Sequence, residues 1–197
     1  MTAFEQIDFL FAQNSGIIKT AQVVKAGISK STFYAYAKQR GVEQAGHGIY
    51  ALPDAWHDAM YLLHLRCTQA VFSHESALFF HDLTDREPTA YSITVKTGYN
   101  PANLKADGVK VYTIQKELHD VGIITMNTPF GHPVFVYNAE RTICDLIRSR
   151  NGIEAQIFQD ALKQYAKRRD KDLRQLMRYA QMLHVDRLLR QYLEVLL

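Results

Sequence analysis

The residues best suited to do chemistry in this chain are cations and small hydroxyls gathered in one stretch, "GISKSTFYAYAKQRGVEQAGHGIYALPD" at 27–54. Between Asp8 and Glu43 no acidic residue occurs, whereas Lys19, Lys25, Lys30, Lys38 and Arg40 all fall there. Lysine favours guanine or phosphate, and serine and threonine bond either phosphates or base edges. Nucleic-acid contact is the chemistry this implies. Lys30, Ser31, Thr32 and Tyr34 would meet bases and Lys38 would lie near phosphates, with Lys19 and Arg40 adding to the positive field. His47 sits between Gly46 and Gly48, where a tight turn lets backbone approach backbone. A solvated basic face beside an incidental hairpin is the competing reading.

A second basic cluster lies near the other end. "KQYAKRRDKDLRQLMR" (163–178) holds seven basic residues against two acidic ones. Lys167, Arg168, Arg169, Lys171 and Arg174 are its candidates for a supplementary nucleic-acid surface, against the plainer reading of a charged, solvated helix.

Elsewhere the residue types argue against a catalytic or metal centre, and neither a catalytic residue nor a cofactor is expected. His57 and His64, like His74 and His81, are seven residues apart. On a helix that spacing gives one face but about 10.5 Å along the axis, too far to share an ion. In "ITVK" Thr94 stands where an acidic-x-Lys nuclease strand would carry its carboxylate before Lys96. Metal-assisted hydrolysis would lack oxygen ligands there. No phosphate loop or nucleophile elbow occurs. Cys67 and Cys144 are far apart within apolar helical patterns, which reads as two buried thiols.

The elements that must position the basic stretch can be read from spacing. Phe4, Ile7, Leu10 and Phe11 recur at helical intervals, predicting a first helix over 3–13. A second, short helix is expected in "TAQVVKAG", with Thr20 as cap, Ala21 and Val24 on its pattern and Gly27 closing it. Ser29 caps a third, with Phe33, Tyr36 and Ala37 inward and Gly41 at its end. Two short β-like runs follow in "VEQAGHGIYAL". The order is that of a winged helix-turn-helix over residues 1–54. Asp54 is read as the cap of the next helix, through "AWHDAMYLLHLRC".

Residues 55–197 read as a larger mixed α/β domain with a helical C-terminus, so the fold class expected is α+β. "SHESALFFHDL" (73–83) and "AERTICDLIRSR" (139–150) are helical, the latter capped by Asn138. "YSITVK", "VKVYTI", "GIITMN" and "PVFVYN" are β-rich. Beyond Ile153 the pattern is helical, broken near Asp170 and His184.

Composition agrees with a folded, water-borne domain. The 197 residues are 47% hydrophobic and 22% charged, with a net charge of +3. No apolar run reaches the roughly 18 residues of a membrane span, and Glu5 and Asp8 stand where a secretory signal would be positive. A cytoplasmic protein with no membrane partner is expected. About five phosphate contacts imply a log–log salt slope near −4 to −5 and only about 10⁻⁴ to 10⁻⁶ M non-specific binding. A specific regulator near about 10⁻⁸ M therefore needs a second copy or a second surface.

The chain also resembles the AbiE-type abortive-infection antitoxins, the AbiEi family of type IV toxin–antitoxin systems. The residues that carry the resemblance are "SKSTFYAYAKQRG", "GHGIYALP", "SHESALFFHDL", "YSITVK" and "VYNAERTICDLI" (136–147), in that order. The resemblance implies a winged head, an antitoxin domain, and a repressor that binds inverted repeats in double-stranded operator DNA upstream of its own operon. It also implies a nucleotidyltransferase-like toxin countered without a stable complex, and self-association on DNA. Within "NAERTICD", Glu140 and Arg141 read equally well as a helix-start ion pair that anchors the fold. Two alternatives stay open: a DNA-targeted enzyme carrying a cryptic nuclease or nucleotidyltransferase, and a ligand-sensing winged-helix regulator.

Overall fold

A computed structural model describes residues 1–196, with side chains through Glu194. The chain divides into two compact units, Met1–Thr68 with Asn127–Pro133, and Gln69–Met126 with Val134 onward.

In the first unit, α1 spans Ala3–Gln13, the bounds expected. Thr2 and Glu5 close a capping box at its start, which satisfies two backbone donors that the helix leaves unpaired. A short strand, β1 (Ile17–Lys19), comes next, then α2 (Thr20–Lys25), α3 (Lys30–Arg40), β2 (Glu43–Gly46) and β3 (Ile49–Ala51). The three strands form an antiparallel sheet in the order β1-β3-β2. Two details of α2 differ from expectation. Lys19 rather than Thr20 is its N-cap residue: Lys19 is extended and its amide donates to Gln22 Oε1 at 2.7 Å, while Thr20 is already helical. Val23 is the buried residue and Val24 is exposed.

The core of this unit is Ile7, Phe11, Ile18, Val23, Ile28, Phe33 and Tyr36. It is largely aromatic where α1 meets α3: Tyr36 stacks on Phe11 at 6.0 Å and meets Phe4 edge-on at 5.2 Å. The helix α4 (Ala59–Arg66) begins after Asp58, not Asp54. Asp58 is buried and saturated: Oδ1 accepts from the Tyr61 amide, and Oδ2 accepts from Thr128 Oγ1 and from His132 Nδ1 at 2.7 Å.

The second unit is a five-stranded mixed sheet of order β6-β5-β4-β8-β7. Its strands are β4 (Val71–Phe72), β5 (Ser92–Lys96), β6 (Lys110–Ile114), β7 (Ile123–Asn127) and β8 (Pro133–Tyr137). β4 runs antiparallel to β5 and parallel to β8, and β5 and β6 are parallel. The helices are α5 (His74–Phe80), α6 (Ala102–Ala106), α7 (Lys116–His119), α8 (Ala139–Arg148), α9 (Ala155–Lys167), α10 (Leu173–Met182) and α11 (Asp186–Leu196). The breaks expected near Asp170 and His184 fall between α9 and α10 and between α10 and α11. No described helix is long and apolar enough to cross a membrane.

α8 is the hub. Asn138 caps it through the Arg141 amide, and every residue from Arg141 to Ile147 is buried. Ile143, Leu146 and Ile147 join Leu78, Phe158, Leu162, Tyr165 and Leu176 in one apolar cluster. Glu140 and Arg141 do not pair with each other. Glu140 accepts from the Tyr165 hydroxyl and the Asp172 amide, fastening α9 and the start of α10. Arg141 turns the other way, to Asp145 and to the carbonyls of Leu118 and Val121.

Candidate nucleic-acid interface

The basic face is built on α3, an eleven-residue helix whose ends are set by local chemistry. Ser29 Oγ accepts from the Thr32 amide at 3.1 Å, and Gly41 takes a left-handed conformation at φ +66°, where a side chain would be strained. Phe33, Tyr36 and Ala37 are buried. The Tyr36 hydroxyl donates to Asp8 Oδ1 at 2.5 Å, which fixes α3 against α1 and fixes its rotation. Burial, then the Asp8 carboxylate, pushes that phenol up to about 12, so it stays a donor at neutral pH.

With the inner face fixed, Lys30, Tyr34 and Lys38 stand at i, i+4 and i+8 on the outer one, all exposed, with Ser31 beside Lys30. No acidic residue lies in the first turn. Ser31 and Thr32 point their hydroxyls at Ser29 Oγ, 2.8 Å from each; whichever accepts the single Ser29 proton keeps its own to offer outward.

The other expected members are arranged differently. Arg40 leaves the stripe and pairs with Asp8 at 3.3 Å, its guanidinium 6.0 Å from the Tyr36 ring. Both partners of that pair are about half exposed, at 53% and 45%. Such a pair contributes about 0–1 kcal/mol, little enough for a phosphate to displace Asp8. Lys19 is half-buried at the foot of β1, opposite Ile49 of β3, and desolvation lowers its amine's pKa. It lies beside the turn end of the β2–β3 hairpin, next to Thr20, whose amide donates to the Gly48 carbonyl, rather than on the α3 stripe. His47 is exposed at the tip of that hairpin, next to Gly48 at φ +66°.

One positioning residue was not singled out by the sequence. Tyr50 of β3 meets Phe33 edge-on at 4.9 Å and lies 6.3 Å from the Tyr34 ring, so the hairpin is held to α3 through aromatic contact. Its signal is slight: one aromatic residue between Ile49 and Ala51 in "GIYAL".

The second basic cluster separates into two kinds of side chain. Lys167, Arg169 and Arg174 are exposed. Arg168 instead clasps Asp170 with two bonds of 2.9 and 2.7 Å and donates to the His81 carbonyl at 2.7 Å. Lys171 donates to the Arg168 carbonyl at 2.9 Å. Arg178 is exposed one helical turn beyond Arg174 and extends the free set.

The remaining candidates are not gathered into a site. His57 precedes α4 while His64 lies in its last turn; His74 opens α5 and His81 follows its end. Among the described residues no three His, Cys, Asp or Glu side chains are gathered to hold a metal ion. Thr94 is buried and donates to Ser73 Oγ, and Lys96 pairs with Asp120 at 3.2 Å. Cys67 and Cys144 are both buried and free, and burial raises the Cys144 thiol to about 12.

Comparison with known proteins gives matches to a family model and to solved structures. Residues 5–53, which hold α1 through β3, match a family model described as "Transcriptional regulator, AbiEi antitoxin". The fold is similar to the crystal structure of the RV2827C protein from Mycobacterium tuberculosis, with a TM-score of 0.59 over 92% of this chain and 72% of that one. At 14% identity this likeness concerns the fold alone. No curated protein matches the chain.

Proposed function

We propose that this chain is a DNA-binding repressor of its own operon and the antitoxin of a type IV toxin–antitoxin pair active in abortive phage infection. Residues 1–54 are the reading head, a winged helix-turn-helix, and residues 55–197 the antitoxin domain; the compact unit holding the head continues to Thr68. Three helices and a three-stranded sheet in the order α1-β1-α2-α3-β2-β3 support that reading, as does the family match over the same residues.

The observation that carries it is the α3 stripe. Lys30, Tyr34 and Lys38 form an exposed row on a helix whose inner face is locked by Phe33 and Tyr36. A recognition helix needs this combination, because base edges are read only by side chains whose backbone is held in register. In the complex, Lys30, Ser31, Thr32 and Tyr34 meet bases in the major groove. Lys38 and Arg40 meet phosphates, and the β2–β3 turn with His47 lies along the adjacent backbone. Lys19 lies beside that turn and adds to its positive field. One head supplies too few phosphate contacts for about 10⁻⁸ M binding. Two copies on inverted repeats supply the rest, with Lys167, Arg169 and Arg174 as supplementary contacts. The protein acts in the cytoplasm and counters a nucleotidyltransferase-like toxin without a lasting complex.

Footprinting on the chain's own promoter tests the DNA role. Protection of paired half-sites, lost when Lys30, Lys38 and Arg40 become Ala, is expected. An unprotected promoter, or protection unchanged in the triple variant, would overturn it.

A further inference from the structure

Within the second unit a polar pocket of about 350 Å³ opens between the β5–β6 pair and the helices α5 and α8. Its walls include His74, Thr94, Tyr112, Asp145, Arg148 and Ser149. None of these belongs to the DNA-contacting set, and the proposed repressor activity uses none of them.

A hydrogen-bond chain runs along the wall, and its direction is set by the His74 tautomer. Thr94 Oγ1 donates to Ser73 Oγ at 2.8 Å. Ser73 Oγ lies 3.0 Å from His74 Nδ1, the acceptor available to the serine's own proton. Burial, aided by the charges of Arg141, Arg148 and Lys110, lowers the imidazole to about 3, so it is neutral. With Ser73 donating to Nδ1, the neutral ring carries its proton on Nε2 and donates to Ser149 Oγ, 3.0 Å away, and the Ser149 hydroxyl keeps its proton for a ligand. In the other tautomer Ser149 donates to Nε2.

The charges around the pocket agree with that direction. Asp145 is already engaged by Arg141 Nε at 3.1 Å. Arg148, exposed at the last turn of α8, forms no ion pair within 4.0 Å among the described residues, although its charge acts on Asp145 and on His74. The His74 ring is stacked on Tyr112 at 3.5 Å and held at φ +50°, a conformation costly for a residue other than glycine. The Ser149 hydroxyl beside the exposed Arg148 guanidinium is suited to an oxyanion. The volume exceeds that of a bare ion and falls in the range of small-molecule sites.

We propose that this pocket binds a small hydroxyl-bearing oxyanion of the phosphate-monoester class, its anionic oxygens held by the Arg148 guanidinium and the Ser149 hydroxyl. The β6 segment 111–114 lines the part of the pocket that takes the remainder of the ligand.

The test is titration of the full chain with ribose 5-phosphate, inorganic phosphate and ribose, followed by calorimetry and by amide shifts at Arg148 and Ser149. Saturable binding of the ester is expected, tighter than phosphate, with ribose inert. Affinity should fall about tenfold or more in Arg148→Gln, and also in Ser149→Ala, while Lys105→Gln on α6 leaves it unchanged. Because Arg148 is exposed, Arg148→Gln should keep the wild-type circular dichroism, so lost binding is not lost folding. Absence of saturation at about 10 mM ester, equal affinity in Arg148→Gln, or binding of phosphate without the ester would each overturn the proposal.

Discussion

Arg141 donates through Nε to the Asp145 carboxylate at 3.1 Å, one helical turn along α8, with both side chains at least 96% buried. The guanidinium also lies 4.3 Å from the centre of the Tyr137 ring and bonds the carbonyls of Leu118 and Val121 at 2.8 Å. The pair thus ties α8 to the end of β8, to α7 and to the segment that follows α7. Breaking a buried pair by removing one partner typically costs about 3–5 kcal/mol, since the other charge is stranded. Arg141→Met should lose about that much in urea denaturation. A loss below about 1 kcal/mol would mean that the pair does not organise the second unit.

The same carboxyl gives a pH signature. Burial raises Asp145 to about 6, against the lowering influence of Arg141. A carboxyl in an unfolded chain titrates near about 3.9, so between there and about 6 the folded state holds the proton more tightly. The stability this adds is present below the unfolded value and lost as pH rises through about 6. Relative to Asp145→Asn, the wild type should therefore lose stability from pH 4 to 6.5. A difference independent of pH would contradict the raised carboxyl.

His74 has the opposite sign. Its imidazole is lowered to about 3 by burial and by nearby Arg141, Arg148 and Lys110. Unfolded histidine titrates near about 6.5, so the unfolded chain binds the extra proton across that window. Stability is whole above about 6.5 and is lost as pH falls toward about 3. His74→Asn removes the titration and tolerates the left-handed backbone, so the variant should be less acid-sensitive than the wild type. Equal acid sensitivity would argue that His74 is not buried as a neutral ring.

Gly122 is constrained by the same arginine. A Cβ there would stand 2.9 Å from the Arg141 Cβ and 3.2 Å from its Cγ, on backbone at φ +83°. Gly122→Ala should cost about 2–4 kcal/mol, the sum of a left-handed penalty and overpacking against a fully buried side chain. Denaturation midpoints would check this, and a neutral substitution would show that the segment yields.

Arg168 and Arg169 are neighbours in sequence with different roles. Arg168→Ala forfeits the bond to the His81 carbonyl, on the order of 1 kcal/mol, and should lower the melting temperature. Arg169→Ala should leave melting unchanged and weaken DNA binding if the C-terminal cluster contributes. The reverse pattern would contradict the division of that cluster into bound and free cations.

How far these features can be read from the sequence depends on the range of the interactions that make them. Ser29, Gly41 and the spacing of Phe33, Tyr36 and Ala37 specify α3 within a dozen residues, and Asn138 with the apolar spacing that follows specifies α8. The strand β1 is different: Ile17–Lys19 has no alternation to detect, and it is a strand because β3 pairs with it. β4, two residues long, is likewise defined by β5 and β8. The reading of Glu140 with Arg141 as an ion pair fails because adjacent helical residues point apart, and each finds its partner elsewhere. The pocket is least visible of all, since His74 and Ser149 meet across 75 residues. For the basic cluster, composition supplies the charges, and only the fold separates the clasped Arg168 from the exposed Arg169.

The central claim is that the α3 stripe binds operator DNA, and salt dependence tests it most directly. Each Lys that contacts a phosphate contributes about 0.9 to the slope of log K against log salt. On promoter DNA the wild-type chain should give a steep negative slope. The slope of Lys30→Ala/Lys38→Ala should be shallower by about one to two per bound head, with weaker binding at every salt concentration. An unchanged slope and affinity in that double variant would contradict the account.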